Sequence, residues 1–306
     1  MHFINPFSFP DPVTYAGAIF VLLVIIEIWI TTKQLKQTYN YSEAFASIGM
    51  GLGVVVINIV CKTFYISLFF FLYKFRLFDF LGPQTFEGFF DLAWHQQHWY
   101  AWVLLFFADD FTFYWLHRFM HEVRVLWAGH VNHHSSQEYN YATALRQGWW
   151  EYIYKYVFWI WLVLLGFHPV MIFFMMQLSL IYQFFIHTEL VGKLGFFEKF
   201  LNTPSHHRVH HSADIQYLDK NYAGILIIWD KLFGSFEEES FHPKYGLTEN
   251  IDTKNPLKIA THEMIALSKD ISRTKNWKNK FKYLMFGPGW THDGEDKRAK
   301  ILQKKL

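Results

Sequence analysis

Apolar residues are concentrated in five stretches of this chain, separated by polar segments. The stretches cover residues 13–30, 44–73, 99–116, 152–166 and 169–187. The first is about as long as a bilayer core is thick, and the second is longer. The last two meet at a turn containing Gly166 and Pro169, residues that interrupt helices. The pattern predicts an all-α fold, a polytopic membrane helical bundle of four or five spans.

Basic residues set the expected orientation of this bundle. Lys33 and Lys36 follow the first stretch, and the positive-inside rule places that end in the cytoplasm. The segment 74–98 is then expected as a loop on the opposite face. Successive crossings return the chain to the cytoplasmic face near residues 117 and 187. We expect an integral, multi-pass protein of the bacterial inner membrane or the endoplasmic reticulum.

The polar segments divide the chain into three regions. Residues 1–98 contain the N-terminal spans and the loop. Residues 99–240 contain most of the histidines and the membrane hairpin 152–187. Residues 241–306 form a basic C-terminal segment, in which Lys and Arg outnumber Asp and Glu by twelve to five from Lys258 onward. Such a segment is expected to lie in water against anionic headgroups.

Composition narrows the candidate chemistry. A hydrophobic fraction of 52% with 21% aromatic residues is too apolar for a typical soluble enzyme, whereas the mean hydropathy of only +0.07 requires polar parts as well. The net charge of +2 gives no reason to expect nucleic acid. The single cysteine, Cys61, excludes thiolate clusters. A metal would therefore be bound by nitrogen and oxygen. Lys62 lies inside the second stretch, and snorkelling or a pair with Glu27 is the alternative to a functional role.

Histidines are clustered at helical spacing. One HxxxH box and two HxxHH boxes occur, and residues three or four apart share one face of a helix. All three boxes map to the cytoplasmic face. They contain His117 and His121; His130, His133 and His134; and His207, His210 and His211. Eight imidazoles exceed the four ligands of a structural zinc site, so the sequence predicts two metal ions.

Familiar motifs of other metal enzymes do not fit. Glu122 follows His121, but Val125 stands where an HExxH zinc site needs its second histidine. Carboxylate di-iron sites need paired Glu-x-x-His turns, and the chain has only Glu239–His242. Imidazole suits iron as well as zinc. No role is assigned to the isolated histidines, which are His2, His95, His98, His168, His242, His262 and His292.

The boxes resemble those of the fatty acid hydroxylase and sterol desaturase superfamily. Within it, the chain is most similar to the alkylglycerol monooxygenases. The similarity is carried by DFTFYWLHRFMHEVRVLWAGHVNHHSSQEYNYATALRQ at 110–147 and by NTPSHHRVHHSADIQYLDKNYAGILIIWDKLFGSFEEE at 202–239. Weaker similarity follows in YGLT at 245–248, NPL at 255–257 and FGPGW at 286–290.

The resemblance implies roles for individual residues. Residues 99–240 would be the catalytic domain, and the eight box histidines would be ligands, with His187 as an additional one at the end of a membrane helix. His206 is out of phase with its box and would lie behind the ligands. Glu122 would hold a ligand imidazole or pair with Arg118 or Arg124. Asp110 lies two helical turns before His117 on the same face, and this position predicts an acceptor behind the ligands. Five further residues belong to the matching motifs without an assigned chemistry, namely Arg146, Asp219, Asn221, Trp229 and Asp230.

The resemblance also implies a reaction. It predicts a non-haem di-iron centre that uses O2 to hydroxylate a C–H bond of a lipid drawn from the bilayer, with zinc as an alternative occupant after purification. In an alkylglycerol the target would be the carbon next to the ether oxygen. The electron donor would be a protein or a reduced pterin such as tetrahydrobiopterin. Hydroxylation or desaturation of an acyl chain or a sterol on the same centre is the nearer alternative, and a non-enzymatic membrane metal-binding protein is the more distant one.

Overall fold

The computed structural model describes residues 12–79, 81 and 99–306. Every regular element in these ranges is a helix. The strand-like pairing within them consists of two isolated antiparallel bridges, Leu201–Leu226 and Ser212–Tyr245. The all-α prediction is therefore confirmed for the described part of the chain.

The first two predicted spans form two apolar helices. Helix α1, Pro12–Trp29, continues in a π-helical turn, Ile30–Gln34. Helix α2, Tyr41–Tyr73, begins after Asn40, whose side chain accepts a hydrogen bond from the Glu43 amide. Both are long and apolar enough to cross a membrane, and within the described ranges they are the two helices that meet this test.

Two helices carry the first two histidine boxes. Helix α3, Trp99–Glu122, contains the third apolar stretch, and helix α4, Arg124–His134, follows after a break at Val123. Asp109 and Asp110 lie in the middle of α3, which lowers its apolar character. A large apolar core joins α3 to α2 and to the helices of the hairpin.

The predicted hairpin has one continuous arm. After helix α5, Tyr141–Ala144, the first arm consists of α6, Glu151–Tyr154, a 3₁₀ turn, and α7, Ile160–Leu165. The second arm is the 17-residue helix α8, Pro169–Phe185. The turn lies where it was predicted, because Gly166 has a φ of +119° and a Cβ there would be 1.9 Å from the Phe78 carbonyl oxygen.

The C-terminal third contains five α-helices in the described chain, and the first of them carries His207 and His210 of the third box. The five helices are α9, Pro204–His210; α10, Ile228–Phe233; α11, Pro256–Ser272; α12, Trp277–Met285; and α13, Ala299–Gln303. Helix α11 packs against α2 and α4, and α12 packs against α4. Most of the loop predicted at 74–98 lies outside the described residues, as do His2, His95 and His98.

Candidate metal centre

The fold brings all nine predicted histidine ligands together. They form two groups in which the candidate ligand nitrogens all lie within 4.8 Å of one another, and every one of these side chains is buried. The larger group contains His117, His121, His130, His134 and His210. The smaller group contains His133, His187, His207 and His211.

Helical periodicity explains how the boxes divide between the groups. At about 100° per residue, a residue four positions on is displaced by about 40° around the helix, and one three positions on by about −60°. His130 and His134 therefore join one group while His133 turns to the other. His207 and His211 likewise stay together while His210 turns away. Each HxxHH box thus gives two ligands to one group and one to its neighbour.

The outward-facing ring nitrogens fix the tautomers of several imidazoles. The Nδ1 atoms of His117, His133, His187 and His210 face carbonyl oxygens at 2.8, 3.1, 2.6 and 2.8 Å. A carbonyl oxygen only accepts hydrogen bonds, so these Nδ1 atoms carry the proton. The Nε2 atom of each ring then keeps its lone pair for the interior of the cage, which is the tautomer that binds metal.

In each group, two such lone pairs face one another. The Nε2 atoms of His117 and His130 are 3.0 Å apart, and His130 also directs its Nδ1 outward, to the Glu151 carboxylate at 3.3 Å. In the smaller group the Nε2 atoms of His133 and His187 are 3.1 Å apart. With both protons on the outer nitrogens, neither pair has a proton to share. A cation between the rings resolves this, since two nitrogens bound at right angles to one ion at about 2.0–2.1 Å are about 3 Å apart.

The other buried ring nitrogens of the cage also indicate a bound cation. The Nε2 atoms of His121, His210 and His211 are buried and make no hydrogen bond. Burial lowers the pKa of His133, His134 and His207 well below 6.5, and the neighbouring imidazoles lower it further. These imidazoles are therefore neutral and able to bind metal. The donor set fits two metal ions held by nitrogen.

A short loop after the third box supplies part of the cage wall. Asp219 and Asn221 have φ values of +57° and +54°, in the left-handed region that non-glycine residues seldom adopt. They flank the Lys220 carbonyl that accepts from His210, and the Tyr222 carbonyl, two residues further on, accepts from His117. The backbone conformation of this loop thus aims two acceptors at the larger group.

Asp110 lies behind this loop rather than behind a histidine. Its carboxylate accepts hydrogen bonds from the Ile225 and Leu226 amides and from the Trp229 indole, at 2.8, 3.0 and 2.9 Å. Asp230 similarly accepts from the amides of Tyr222 and Ala223, both at 2.8 Å. These two buried carboxylates hold the loop whose carbonyls accept from His117 and His210.

Glu122 occupies a different position from that of an imidazole acceptor. Its carboxylate accepts from Arg118 at 3.2 Å and from Lys300 at 3.2 Å. A pair with Arg118 was one of the two arrangements expected from the sequence, and it is the contact present in the structure. A role for Glu122 in holding a ligand imidazole stays a prediction.

Two other carboxylates face the cage imidazoles, and neither was assigned a role from the sequence. Glu151, at the start of α6, contacts His130, and Asp219 lies 3.4 Å from Nδ1 of His121. Burial and the nearby Glu122 carboxylate raise the pKa of Asp219 to about 7. The sequence signal for Glu151 was its position as an acidic residue directly before the apolar stretch 152–166. His206 turns outward to the Leu201 carbonyl at 3.2 Å, as its phase predicted.

Arg146 connects the cage to α2. Its buried guanidinium donates to Ser47 and Ser135 at 3.1 Å and pairs with the Glu43 carboxylate, while its carbonyl accepts from His133. Arg146, to which the sequence assigned no chemistry, thus links a cage histidine to α2.

Two cavities adjoin the centre. A small apolar one of about 110 Å³ lies among α2, α3 and α8, and its walls include Leu116, Glu151 and Gln183, each next to or in contact with a cage residue. A larger one of about 780 Å³, lined by many polar and charged residues, reaches His121 and other cage residues and is lined also by residues of the C-terminal segment.

Comparison with known proteins agrees with this geometry. The family model described as "Fatty acid hydroxylase" matches residues 102–235. The chain is 37% identical over 286 residues to an alkylglycerol monooxygenase of Homo sapiens, covering 92% of this chain and 60% of that protein. It is 38% identical over 285 residues to the Danio rerio protein of the same name, covering 92% of this chain and 60% of that protein. An ornithine lipid hydroxylase, OlsE, of Rhizobium tropici is 29% identical over 154 residues, which are 47% of this chain and 46% of that protein.

The chain spans about 60% of the length of the alkylglycerol monooxygenases it matches. No solved structure matches it. All nine cage histidines fall within the matched segment 102–235, together with the loop that Asp110 and Asp230 hold, so the family model covers the whole candidate centre. Residues 102–235 thus match the model of the fatty acid hydroxylase family, and the chain is similar over most of its length to the alkylglycerol monooxygenases.

Proposed function

We propose that the protein is a membrane-bound non-haem di-iron oxygenase that hydroxylates a lipid, with an alkylglycerol as the favoured substrate. The observation that carries the proposal is the cage of nine buried imidazoles, divided into groups of five and four, with lone pairs directed inward. Iron held there would supply the activation of O2, and imidazole ligands resist an oxidant that would consume thiolates.

The chain's own residues would position the substrate. The apolar cavity reaches the cage beside Leu116 and extends along α8 to Val13 and Gln177. Because α1 and α8 are apolar helices, a lipid chain could enter this cavity from the bilayer while its polar end stays near the cage. The polar cavity at His121 and His210 gives access from water. A reduced pterin or a protein donor would deliver electrons on that side.

Hydroxylation of an ether lipid would consume one O2 and two electrons. One C–H bond next to the ether oxygen becomes C–OH, using O2, two electrons and two protons, and the second oxygen atom leaves as water. The resulting hemiacetal breaks its C–O bond to give an aldehyde and a free glycerol hydroxyl. Oxygen-dependent turnover should therefore release one aldehyde per ether lipid consumed.

The test is a substrate panel of ether lipids, acyl lipids and sterols, incubated with the iron-loaded protein and O2, with and without a reduced pterin. Aldehyde release from ether lipids supports the proposal in full. Oxygen-dependent products from acyl lipids or sterols alone would discard the alkylglycerol assignment and favour a different lipid hydroxylase, the class to which the name of the Rhizobium tropici relative points. Absence of oxygen consumption with every substrate would contradict the proposal.

The proposal includes a topology, with α1 and α2 crossing the membrane and the cage on the cytoplasmic face. Lys36, after α1, and Gln137, after α4, are both exposed. In a variant lacking Cys61, cysteines placed at these two positions should be labelled from the same side of sealed vesicles. Labelling from opposite sides would contradict a single cytoplasmic site.

A further inference from the structure

Helix α12 presents an apolar face that is largely exposed in the described structure. Trp277, Phe281 and Met285 are spaced four residues apart and are 70%, 54% and 43% exposed. Tyr283, on the opposite side of the helix, is 1% exposed and packs into the protein. The helix is thus fixed by one side and offers a continuous apolar stripe on the other.

Lysines border this stripe on both sides. At about 100° per residue, the apolar residues span an arc of about 80°, with Lys278 and Lys282 beyond one edge and Lys280 beyond the other. An apolar stripe between lysines is typical of a helix that lies in the plane of a membrane surface, with the apolar side chains among the acyl chains and the ammonium groups among anionic headgroups. A tryptophan at one end suits the same interface.

The position of α12 in the fold agrees with a membrane surface. The carbonyl oxygen of Phe286, which follows α12, accepts a hydrogen bond from the amide of Arg124, directly after α3 ends, at 3.1 Å. The neighbouring α11 begins at Pro256, whose ring touches Gly49 near the start of α2. Helix α11 also exposes Leu257 and Ile265, by 61% and 50%. The C-terminal segment is therefore attached at the level where the long apolar helices end.

We propose that α12 lies in the headgroup region of an anionic phospholipid bilayer and anchors the C-terminal segment to it. This inference rests on the proposed crossing of the bilayer by α1 and α2. Residues of the C-terminal segment, among them Arg273, Gly289 and Lys297, wall the larger cavity. The anchored helix thus holds the wall of that cavity against the membrane, and the charge of the bilayer controls how firmly it is held.

Fluorescence quenching in nanodiscs tests the proposal. The full chain without Cys61 would carry one bimane-labelled cysteine at position 281, at 56 or at 249, and the discs would contain nitroxide-labelled phosphatidylcholine with or without phosphatidylglycerol. Val56, on α2, is 67% exposed and serves as the bilayer reference, whereas the Glu249 side chain is 84% exposed and serves as the reference in water.

In discs with phosphatidylglycerol, quenching at 281 should approach that at 56, and little quenching should occur at 249. Combining K278E, K280E and K282E should reduce quenching at 281 to the level of 249. Quenching at 281 no greater than at 249 in the anionic discs, with 56 quenched, would overturn the proposal, as would protection of 281 by a protein partner instead of lipid. Absence of quenching at 56 would instead refute the proposed crossing of the bilayer by α2.

Discussion

A single carboxylate beside a ligand imidazole can decide how well the metal is bound. Glu151 contacts His130 through Nδ1, whereas Glu122 pairs with Arg118 and Lys300. Substituting each glutamate therefore compares a carboxylate that contacts a cage imidazole with one that pairs with basic side chains. The comparison separates the carboxylate that the structure places at a ligand from the one that the sequence motif singles out.

Glu151→Gln should weaken metal binding by about 10–100-fold, the usual effect of losing a carboxylate that holds a ligand histidine. The amide is neutral and cannot reinforce the imidazole as a carboxylate does. Glu122→Gln should weaken it much less. Competition with a chelator measures both affinities on folded protein. A larger loss in Glu122→Gln than in Glu151→Gln would contradict the contacts described.

At the residue scale, the sequence predicted which histidines come together but not which groups hold their outer nitrogens. Spacing along a helix determines which side chains share a face, so the box histidines and the outward turn of His206 could be predicted. The partners of their outer nitrogens are backbone carbonyls and carboxylates elsewhere in the chain, such as Tyr222, which is 105 positions from His117. Such contacts depend on tertiary packing, which periodicity does not describe.

At the scale of elements, the loop after the third box couples α3 to the larger histidine group. Asp110 holds the backbone at Ile225 and Leu226, and the same loop directs the Tyr222 carbonyl to His117. Asp110→Asn places an amide NH2 among three donors, so at least one buried donor loses its acceptor. The loop should then shift, and the larger group should lose its ion.

We expect Asp110→Asn to retain about one metal ion per chain, with the smaller group still filled, and Asp252→Asn, at an exposed position, to match the parent. Metal analysis of the purified, folded variants measures this. Equal metal content in Asp110→Asn and the parent would show that the loop does not control the larger group.

Helix α4 approaches the segment before α6 so closely that only glycine fits. A Cβ on Gly148 would lie 1.5 Å from the carbonyl oxygen of Gly129, whereas a Cβ on Gly192 would meet nothing within 4 Å. Gly148→Ala should therefore cost at least about 3 kcal/mol, the upper end of the usual range for overpacking. Gly192→Ala should be close to neutral. Thermal unfolding of the two variants measures the difference, and equal midpoints would contradict this packing.

The sequence predicted where the helices and turns lie more accurately than it predicted which helices are continuous. The turn at Gly166 and the helix after it follow from glycine and proline chemistry, which is local. The breaks that divide residues 151–165 into short pieces leave no such signal, because no glycine or proline interrupts the stretch IYKYVFWIWLVLL. In this stretch Tyr156 packs against Tyr65 of α2 and Trp159 donates to Asp109 of α3, and such tertiary contacts are not encoded in local periodicity.

At the scale of the whole molecule, burying so many imidazoles makes the metal-free protein sensitive to acid. The pKa of His210 and His211, like that of His133, is lowered well below 6.5 in the folded state by burial and by neighbouring imidazoles. As the pH falls through about 6.5, the unfolded chain takes up protons that the folded chain excludes. The unfolded state binds more protons, so the free energy of unfolding decreases toward acid.

The metal-free protein should therefore unfold at progressively lower temperature as the pH falls below about 6.5, and should change little above it. Bound metal should shift the loss of stability to lower pH, because metal competes with protons for the same nitrogens. Thermal unfolding in detergent over this range, with and without a chelator, measures both effects. An acid-stabilised metal-free protein would contradict the neutral, buried state of the cage.

The most direct test of the two-metal cage is the number of metal ions bound per folded chain, measured by elemental mass spectrometry on protein produced with added iron. Two ions per chain are expected. His206→Ala should keep both, because His206 faces away from the cage, whereas the adjacent substitution His207→Ala should lose about one ion from the smaller group. Fewer than one ion in the folded parent, or equal metal content in the two variants, would contradict the account.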